Sequence, residues 1–241
     1  MVDAVNNPIK PQSGETLDLT GQVISVDATT VNSVYAPIQI VGVSDVTLIG
    51  GTIIGDRHLR PDDPNLGGLG HGIIIGGGAS NIKIIGTTVQ DCFGDGILIW
   101  GGNGVELDNV TSNHNRRQGV SIVNSNGVYI HDGVLSNNGG TSPGDGIDIE
   151  NDLETETCAN ILIQNNTFSG NQGSGVGAGS PGTYTNIKVL GNSFDKTTQP
   201  IWVAGNAGSA GTPWWAAALR AIFGWTPSYR WWGYPTEWIK Q

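Results

Sequence analysis

The sequence predicts an all-β chain wound as a right-handed parallel β-helix, and three observations carry that prediction. Gly accounts for 38 of 241 residues, Lys and Arg together for 11 and Met for 1, so turn formers and β-branched residues outweigh helix formers. A short apolar strand opened by Gly recurs as HGIII from His71, DGILI from Asp95, QGVSI from Gln118, DGIDI from Asp145 and SGVGA from Ser174, with QPIWV from Gln199 as the last turn. A second strand recurs in phase with it, in DVTLI from Asp45, then NIKII, GVELD, GVYIH, NILIQ and NIKVL.

The first strands are spaced by 24, 23, 27, 29 and 25 residues, and a third, shorter strand such as DNVTS or NNTFS closes each coil. A coil this small cannot bury its own apolar face, so successive coils must stack and share a column of Ile and Val. Strand alternation then points Ile73, Ile75, Ile97, Ile99, Val120, Ile122, Ile147 and Ile149 inward, and Ile74, Leu98, Trp100, Ser121, Val123, Asp148 and Glu150 outward. A leucine-rich repeat is the competing solenoid, but its Leu spacing is absent.

Solenoid ends need covering. Residues 1–36, with GETLDLTGQVISV, are expected to form the N-terminal cap and first coil, and residues 37–205 the helix proper. Residues 206–241 change character: seven of eight Trp lie at or beyond Trp202, and PWWAAALRAIFGW reads as an amphipathic helix started by Pro and stopped by Gly224. That segment is expected to cap the open end, to join subunits, or both.

Composition narrows the partners. A formal net charge of −10 and no basic stripe exclude nucleic acid. No run of about 18 apolar residues exists, so no membrane insertion is expected, and MVDAVNNPIK carries no charged-then-apolar secretion signal. Cys92 and Cys158 form no metal-ligand spacing and fall about three coils apart, roughly 14 Å at ~4.8 Å per coil, so free thiols are expected.

Coils of regular length are scaffold, and departures from regularity mark candidate chemistry. Extra residues enter at GDRHLRPDDPNLGGLGHG before His71, at NNGGTSPGDG before Asp145 and at NDLETETCA after Glu150. They wall the edge of the first-strand sheet. Along that edge, just before each recurrent Gly, stand His71, Asp95, Gln118, Asp145 and Ser174, with Arg116 and Arg117 feeding the middle coil and Arg57 and His58 reaching in from the first insertion. Each has a structural alternative: a Gly-flanked Asp often bonds its own turn, and an outward carboxylate is often only solvated.

Asp148 and Glu150 lie two apart on one strand, so their Cα atoms are about 6.7 Å apart at ~3.3 Å per residue. That matches the carboxyl separation of inverting glycosidases, about 6.5–9.5 Å, better than the ~5–5.5 Å of retaining ones. Six acids fall between Asp145 and Glu156, and like charges so close raise the proton affinity of at least one. Ca²⁺ binding by Asp148, Glu150 and Asp152 is the alternative use of the same crowding; no cofactor is otherwise expected. Trp100 offers a flat outward ring for a sugar to stack on.

The motifs GHGI, GDGI, NRRQGVSI and GTSPGDGIDIE, in that order within residues 52–205, resemble right-handed parallel β-helix proteins of the pectin-lyase-like superfamily. Within that superfamily they resemble bacterial β-helix-repeat proteins and bacteriophage tailspikes in particular. That resemblance places Arg116, Arg117, Gln118, Asp148 and Glu150 at that group's surface positions. The polygalacturonase pattern is not matched, because GHG at Gly70–Gly72 precedes the acidic strand and the Asn-Thr-Asp motif is absent; pectate-lyase signatures are absent as well. A tailspike relationship implies a homotrimer, a polysaccharide ligand, other virion proteins as neighbours, and a virion or extracellular setting.

The leading expectation is therefore a polysaccharide-binding, polysaccharide-hydrolysing β-helix. Asp148 and Glu150 are the acid and base, assisted by Asp145 or Asp95; Arg116, Arg117, His71, Arg57, His58 and Trp100 hold substrate. A non-enzymatic attachment spike comes second, and a polysaccharide lyase or epimerase third.

Overall fold

A computed structural model describes residues 2–27, 34–60, 70–179, 181–194 and 199–203. It contains three parallel sheets of seven strands each, every strand pairing with its counterpart one coil away. The first-strand sheet runs through Ile38–Val41, Ile73–Gly76, Ile97–Trp100, Val120–Val123, Ile147–Glu150, Ser174–Ala178 and Gln199–Val203. The second-strand sheet begins at Thr16–Asp18 and the third at Val23–Ser25, so the first coil starts within the segment expected to cap the helix. Arg57–Leu59 forms a single 3-10 turn in the first insertion. The Trp-rich segment expected to cap the helix or join subunits lies outside the described residues.

The register reproduces the sequence phase. Ile73 pairs with Ile97, Ile97 with Val120, Val120 with Ile147, and Ile147 with Val176. All eight residues expected to point inward on these strands are fully buried, in one continuous core that also takes Ile82, Val105, Val128 and Ile161 from the second-strand sheet. Cys92 and Cys158 are free and buried in the same core, where loss of water pushes the Cys158 thiol up to about 11, so both serve as packing.

The recurrent Gly has a steric cause. A Cβ on Gly72, Gly96, Gly119 or Gly146 would lie 2.6–2.7 Å from the carbonyl oxygen of the next Gly in the column. Only a hydrogen fits there, so the coils from Gly72 to Gly146 open their first strand with the one residue that lets the turns stack, while Pro37 and Pro200 take that place in the two end coils.

The abundance of Asn follows from the other corners. Asn109, Asn124, Asn137 and Asn165 between strands, and Asn81, Asn160 and Asn186 within second strands, all adopt positive φ, a conformation Asn tolerates better than most residues. Inside the coil, Asn115 Nδ2 donates to Asn138 Oδ1 at 3.0 Å and Asn138 Nδ2 to Asn171 Oδ1 at 2.9 Å. All three are buried, and each Oδ1 of Asn138 and Asn171 also accepts the backbone N–H of the Asn one coil earlier, so the ladder satisfies turn groups that face no water.

Candidate functional site

The column before the recurrent Gly is real in the backbone: Gly72, Gly96, Gly119 and Gly146 donate to the carbonyls of Asp95, Gln118, Asp145 and Ser174. Side chains continue it. The backbone N–H of Asp95 faces His71 Nδ1 at 3.3 Å, that of Gln118 donates to Asp95 Oδ1 at 3.2 Å, and that of Ser174 donates to Asp145 Oδ1. Gln118 breaks the pattern. Its Nε2 reaches across to Asp148 Oδ2 at 3.0 Å, and its Oε1, fully buried, has no hydrogen-bond partner.

Asp148 sits on the outward row Leu98–Ser121–Asp148–Gly177, and Glu150 on the neighbouring row Gly76–Trp100–Val123–Glu150. Alternation is as expected, but outward here does not mean wet. Asp148 is 5% exposed, Val123 4% and Ser121 1%, and the Ser121 hydroxyl is without a partner. Trp100, at 52%, is open.

Gly177 explains how two carboxylates fit side by side. A Cβ there would lie 2.2 Å from Asp145 Oδ2 and 3.3 Å from Asp148 Oδ1, so the missing side chain opens the space both carboxyl groups enter. Asp145 is thus brought beside Asp148 by its side chain, although its backbone belongs to the turn.

The electrostatics divide these acids in two. Burial, with the Asp148 charge adding to it, raises Asp145 to about 7, against hydrogen bonds from Ser174. Burial, then the Asp148 charge, also raises Glu150 to about 7. Asp148 is raised by burial and by Asp95, and moderated by the Gln118 hydrogen bond and Arg117. Asp95 goes the other way. Burial alone would raise it, but the His71 hydrogen bond, the Arg117 and His71 charges and the Gln118 N–H together hold its carboxyl below the ordinary Asp value. His71 Nδ1 is 3.3 Å and Arg117 Nη1 3.6 Å from Asp95 Oδ2.

The structure therefore brings together His71, Asp95, Arg117, Asp145, Asp148 and Glu150, with Trp100 two coils from Glu150 along its row. It does not bring Arg116, Arg57 or His58 to this face. Arg116 is 1% exposed with its guanidinium 4.4 Å from the Phe93 ring centre, a packed cation rather than a ligand-facing one. Both lie in the bend between Thr111–Asn113 and Val120–Val123, which sets Arg117 beside Asp95 and Arg116 against Phe93. Arg57 donates to the carbonyls of His114 and Gly139 at 2.6 and 2.8 Å and ties the first insertion to later coils. His58, largely exposed, pairs with Asp91 at 2.9 Å. Asp152 is exposed, and among the described residues the set of His, Cys, Asp and Glu donors that converges as a metal ligand set would is on another sheet. Gln118, named above by its position but given no role, joins the site, and so do Ser121 and Gly177. The signal for Gln118 was its place in the column; for Gly177 it was a small residue one coil after Asp148.

Comparison with known proteins sets this geometry in a family. The model of the right-handed β-helix region matches residues 36–211. A Bacillus subtilis (strain 168) protein, YclG, itself uncharacterized, is 32% identical over 154 residues; the match covers 55% of this chain but only about a quarter (26%) of that protein's length. Among solved structures, endo-xylogalacturonan hydrolase from Aspergillus tubingensis superposes with a TM-score of 0.52 at 14% identity, over 86% of this chain and 71% of that one. The Dettilon tailspike protein superposes with a TM-score of 0.41 at 15% identity, over 85% and 40%. The likeness to the xylogalacturonan hydrolase is one of fold, and with the match spanning most of the coils, this chain belongs to the right-handed β-helix family.

Proposed function

We propose that the outward face of the first-strand sheet binds a polysaccharide and hydrolyses it with inversion. The observation that carries this reading is the trio Asp145, Asp148 and Glu150, three acids on one face with raised proton affinity beside an ionised Asp95. Gln118 donates to Asp148 and so favours its ionised form, which makes Asp148 the base and Glu150 the acid. Glu150 gives its proton to the glycosidic oxygen as the C–O bond breaks. Asp148 takes a proton from the water that attacks the anomeric carbon from the opposite side. Asp145 shares the space beside Asp148, and its proton spares that base a second adjacent negative charge. The His71–Asp95–Arg117 group anchors Gln118 through its backbone.

The charge pattern favours an uncharged sugar at this point of the chain. Among the described residues Arg117 is the cation beside these acids and is already paired with Asp95, so there a uronate carboxylate would meet several acids and a cation already engaged. The NRRQGVSI and GTSPGDGIDIE motifs extend the reading to a tailspike-type protein acting on a bacterial surface polysaccharide, as a trimer on a virion. That assembly is tested by light scattering on the full chain before and after replacing Trp231 and Trp232. A monomer throughout overturns it.

Incubation with capsular polysaccharides and lipopolysaccharides, followed by chromatography of the products, tests the activity. Oligosaccharides that vanish with Asp148→Asn and Glu150→Gln support hydrolysis, and an unsaturated, ultraviolet-absorbing product would make the protein a lyase. One observation favours the non-enzymatic reading: Asp148 and Ser121 are only 5% and 1% exposed. Retention of glycan without cleavage across the panel would establish it.

A further inference from the structure

The outer face of the second-strand sheet carries a second cluster, unrelated to the glycan face. Along the row that ends each second strand stand Asp18, Ile49, Ile85, Asp108, His131, Gln164 and Leu190, so the apolar Ile49 and Ile85 give way to Asp108 and His131 in the next two coils. Asp132 follows His131 in the left-handed conformation, at φ 56°. In the corresponding places Gly50, Gly86, Asn109, Asn165 and Gly191 carry no charge.

The His131 ring is fixed from two sides. Tyr129 stacks on it at 4.0 Å with a 20° interplanar angle, and Tyr129 is itself held by a hydrogen bond from its hydroxyl to Gln164 Oε1. Nε2 faces Glu106 Oε1 at 3.3 Å, and Glu106 is anchored by Lys83 Nζ at 2.7 Å. Nδ1 is left facing two carboxylates, Asp132 Oδ2 at 2.8 Å and Asp108 Oδ1 at 3.6 Å. With the Nε2 proton directed to Glu106, the Nδ1 lone pair meets two sets of oxygen lone pairs. Either a proton or a cation on Nδ1 relieves that contact. A proton on Nδ1 bonds one oxygen and leaves the other at 3.6 Å, whereas a divalent cation takes both.

We propose that Asp108, His131 and Asp132 form a divalent-cation site of the zinc class, with Glu106 orienting the imidazole from behind. One ligand atom from each lies within 4.8 Å of the others. Zinc at about 2.0–2.2 Å from nitrogen and oxygen needs only small side-chain movements from there, with water completing four-coordination. A carboxylate on the far nitrogen of a ligating His is the usual second contact of such sites, because it fixes the tautomer and raises the basicity of the ligand. The mixed nitrogen and oxygen donors favour zinc over Ca²⁺, which prefers six to eight oxygens. Charge agrees: three carboxylates face Lys83 alone when His131 is neutral, and a divalent ion cancels the remainder.

Calorimetric titration of the EDTA-stripped full chain with Zn²⁺ at pH 7.5 tests this. One site is expected, weakened at least ~10-fold by Glu106→Gln or Asp132→Asn and abolished by His131→Gln. Asp132 is 55% exposed, so Asp132→Asn keeps the fold even if the loss of the Tyr129–His131 stack disturbs the His131 variant. A titration without a binding isotherm overturns the proposal. So does an isotherm that Asp132→Asn leaves unchanged, since zinc would then be held elsewhere.

Discussion

The outer faces of the first-strand and second-strand sheets both collect carboxylates, yet they treat them in opposite ways. On the second-strand sheet, Glu106 sits at the surface between Lys83 and His131, and the Lys83 hydrogen bond leads the effects that hold its carboxyl below the ordinary Glu value. On the first-strand sheet, Asp145, Asp148 and Glu150 are shielded from water and have one another as neighbours, and all three are raised. Residue type is the same in both places. What differs is whether the charge is met by a cation or by burial, and only the second keeps a proton available near neutral pH.

The largest difference is expected in activity. Asp148→Asn or Glu150→Gln should lower the rate of glycan cleavage by at least ~100-fold, the usual yield of a positioned acid or base. Glu106→Gln, in the same assay, should leave it within about twofold. Equal losses from both faces would remove the distinction. Next comes the space between the acids: Gly177→Ala should cost about 1–3 kcal/mol in denaturant unfolding, because its Cβ would collide with Asp145 and crowd Asp148.

The pH dependence should run in opposite directions on the two faces. Asp145 and Glu150 have ordinary values of 3.8 and 4.5 and folded values of about 7, so the folded chain holds protons the unfolded chain has lost. Their contribution is fully present below pH 4 and is lost as pH rises toward 7 and beyond. Glu106 is lowered, so its contribution is present above pH 4.5 and lost as pH falls through its folded value. Thermal unfolding between pH 2 and 8 should therefore show a smaller decline above pH 4 in Asp145→Asn than in the parent, and Glu106→Gln should flatten only the side below pH 4.5. An unchanged slope in Asp145→Asn would show that its carboxyl does not keep the proton. The smallest effect belongs to Lys83→Met, at most about 1 kcal/mol at 25 °C, because that ion pair is solvent-exposed.

How much of this was legible in the sequence depended on whether a residue belonged to the repeat. The Gly-opened strands declared the coil because a steric rule acts once per turn, and period-two alternation placed Ile147 and Ile149 inside and Asp148 and Glu150 on one outer face. Arg116 and Arg117 were read together, but they lie in a bend between strands, where no period fixes direction and the sequence does not say which one packs on Phe93. Arg57 and His58 lie in an insertion, where no period fixes direction. Asp145 read as a turn residue because its partnership with Asp148 depends on the vacancy at Gly177, a property of the next coil. The Asp108–His131–Asp132 group went unread because its members lie on the second strands, away from the insertions.

The glycine column has a consequence for how such a protein can change. Since the turns from Gly72 to Gly175 are joined by the same contact, the scaffold there is indifferent to which turn carries the reactive side chains. Chemistry could migrate along the axis in fixed steps of one coil, about 4.8 Å, by exchanging residues at equivalent positions, with the core left as it is. The fold behaves as a rack of identical slots, and His71, Asp95, Gln118 and Asp145 are one filling of it.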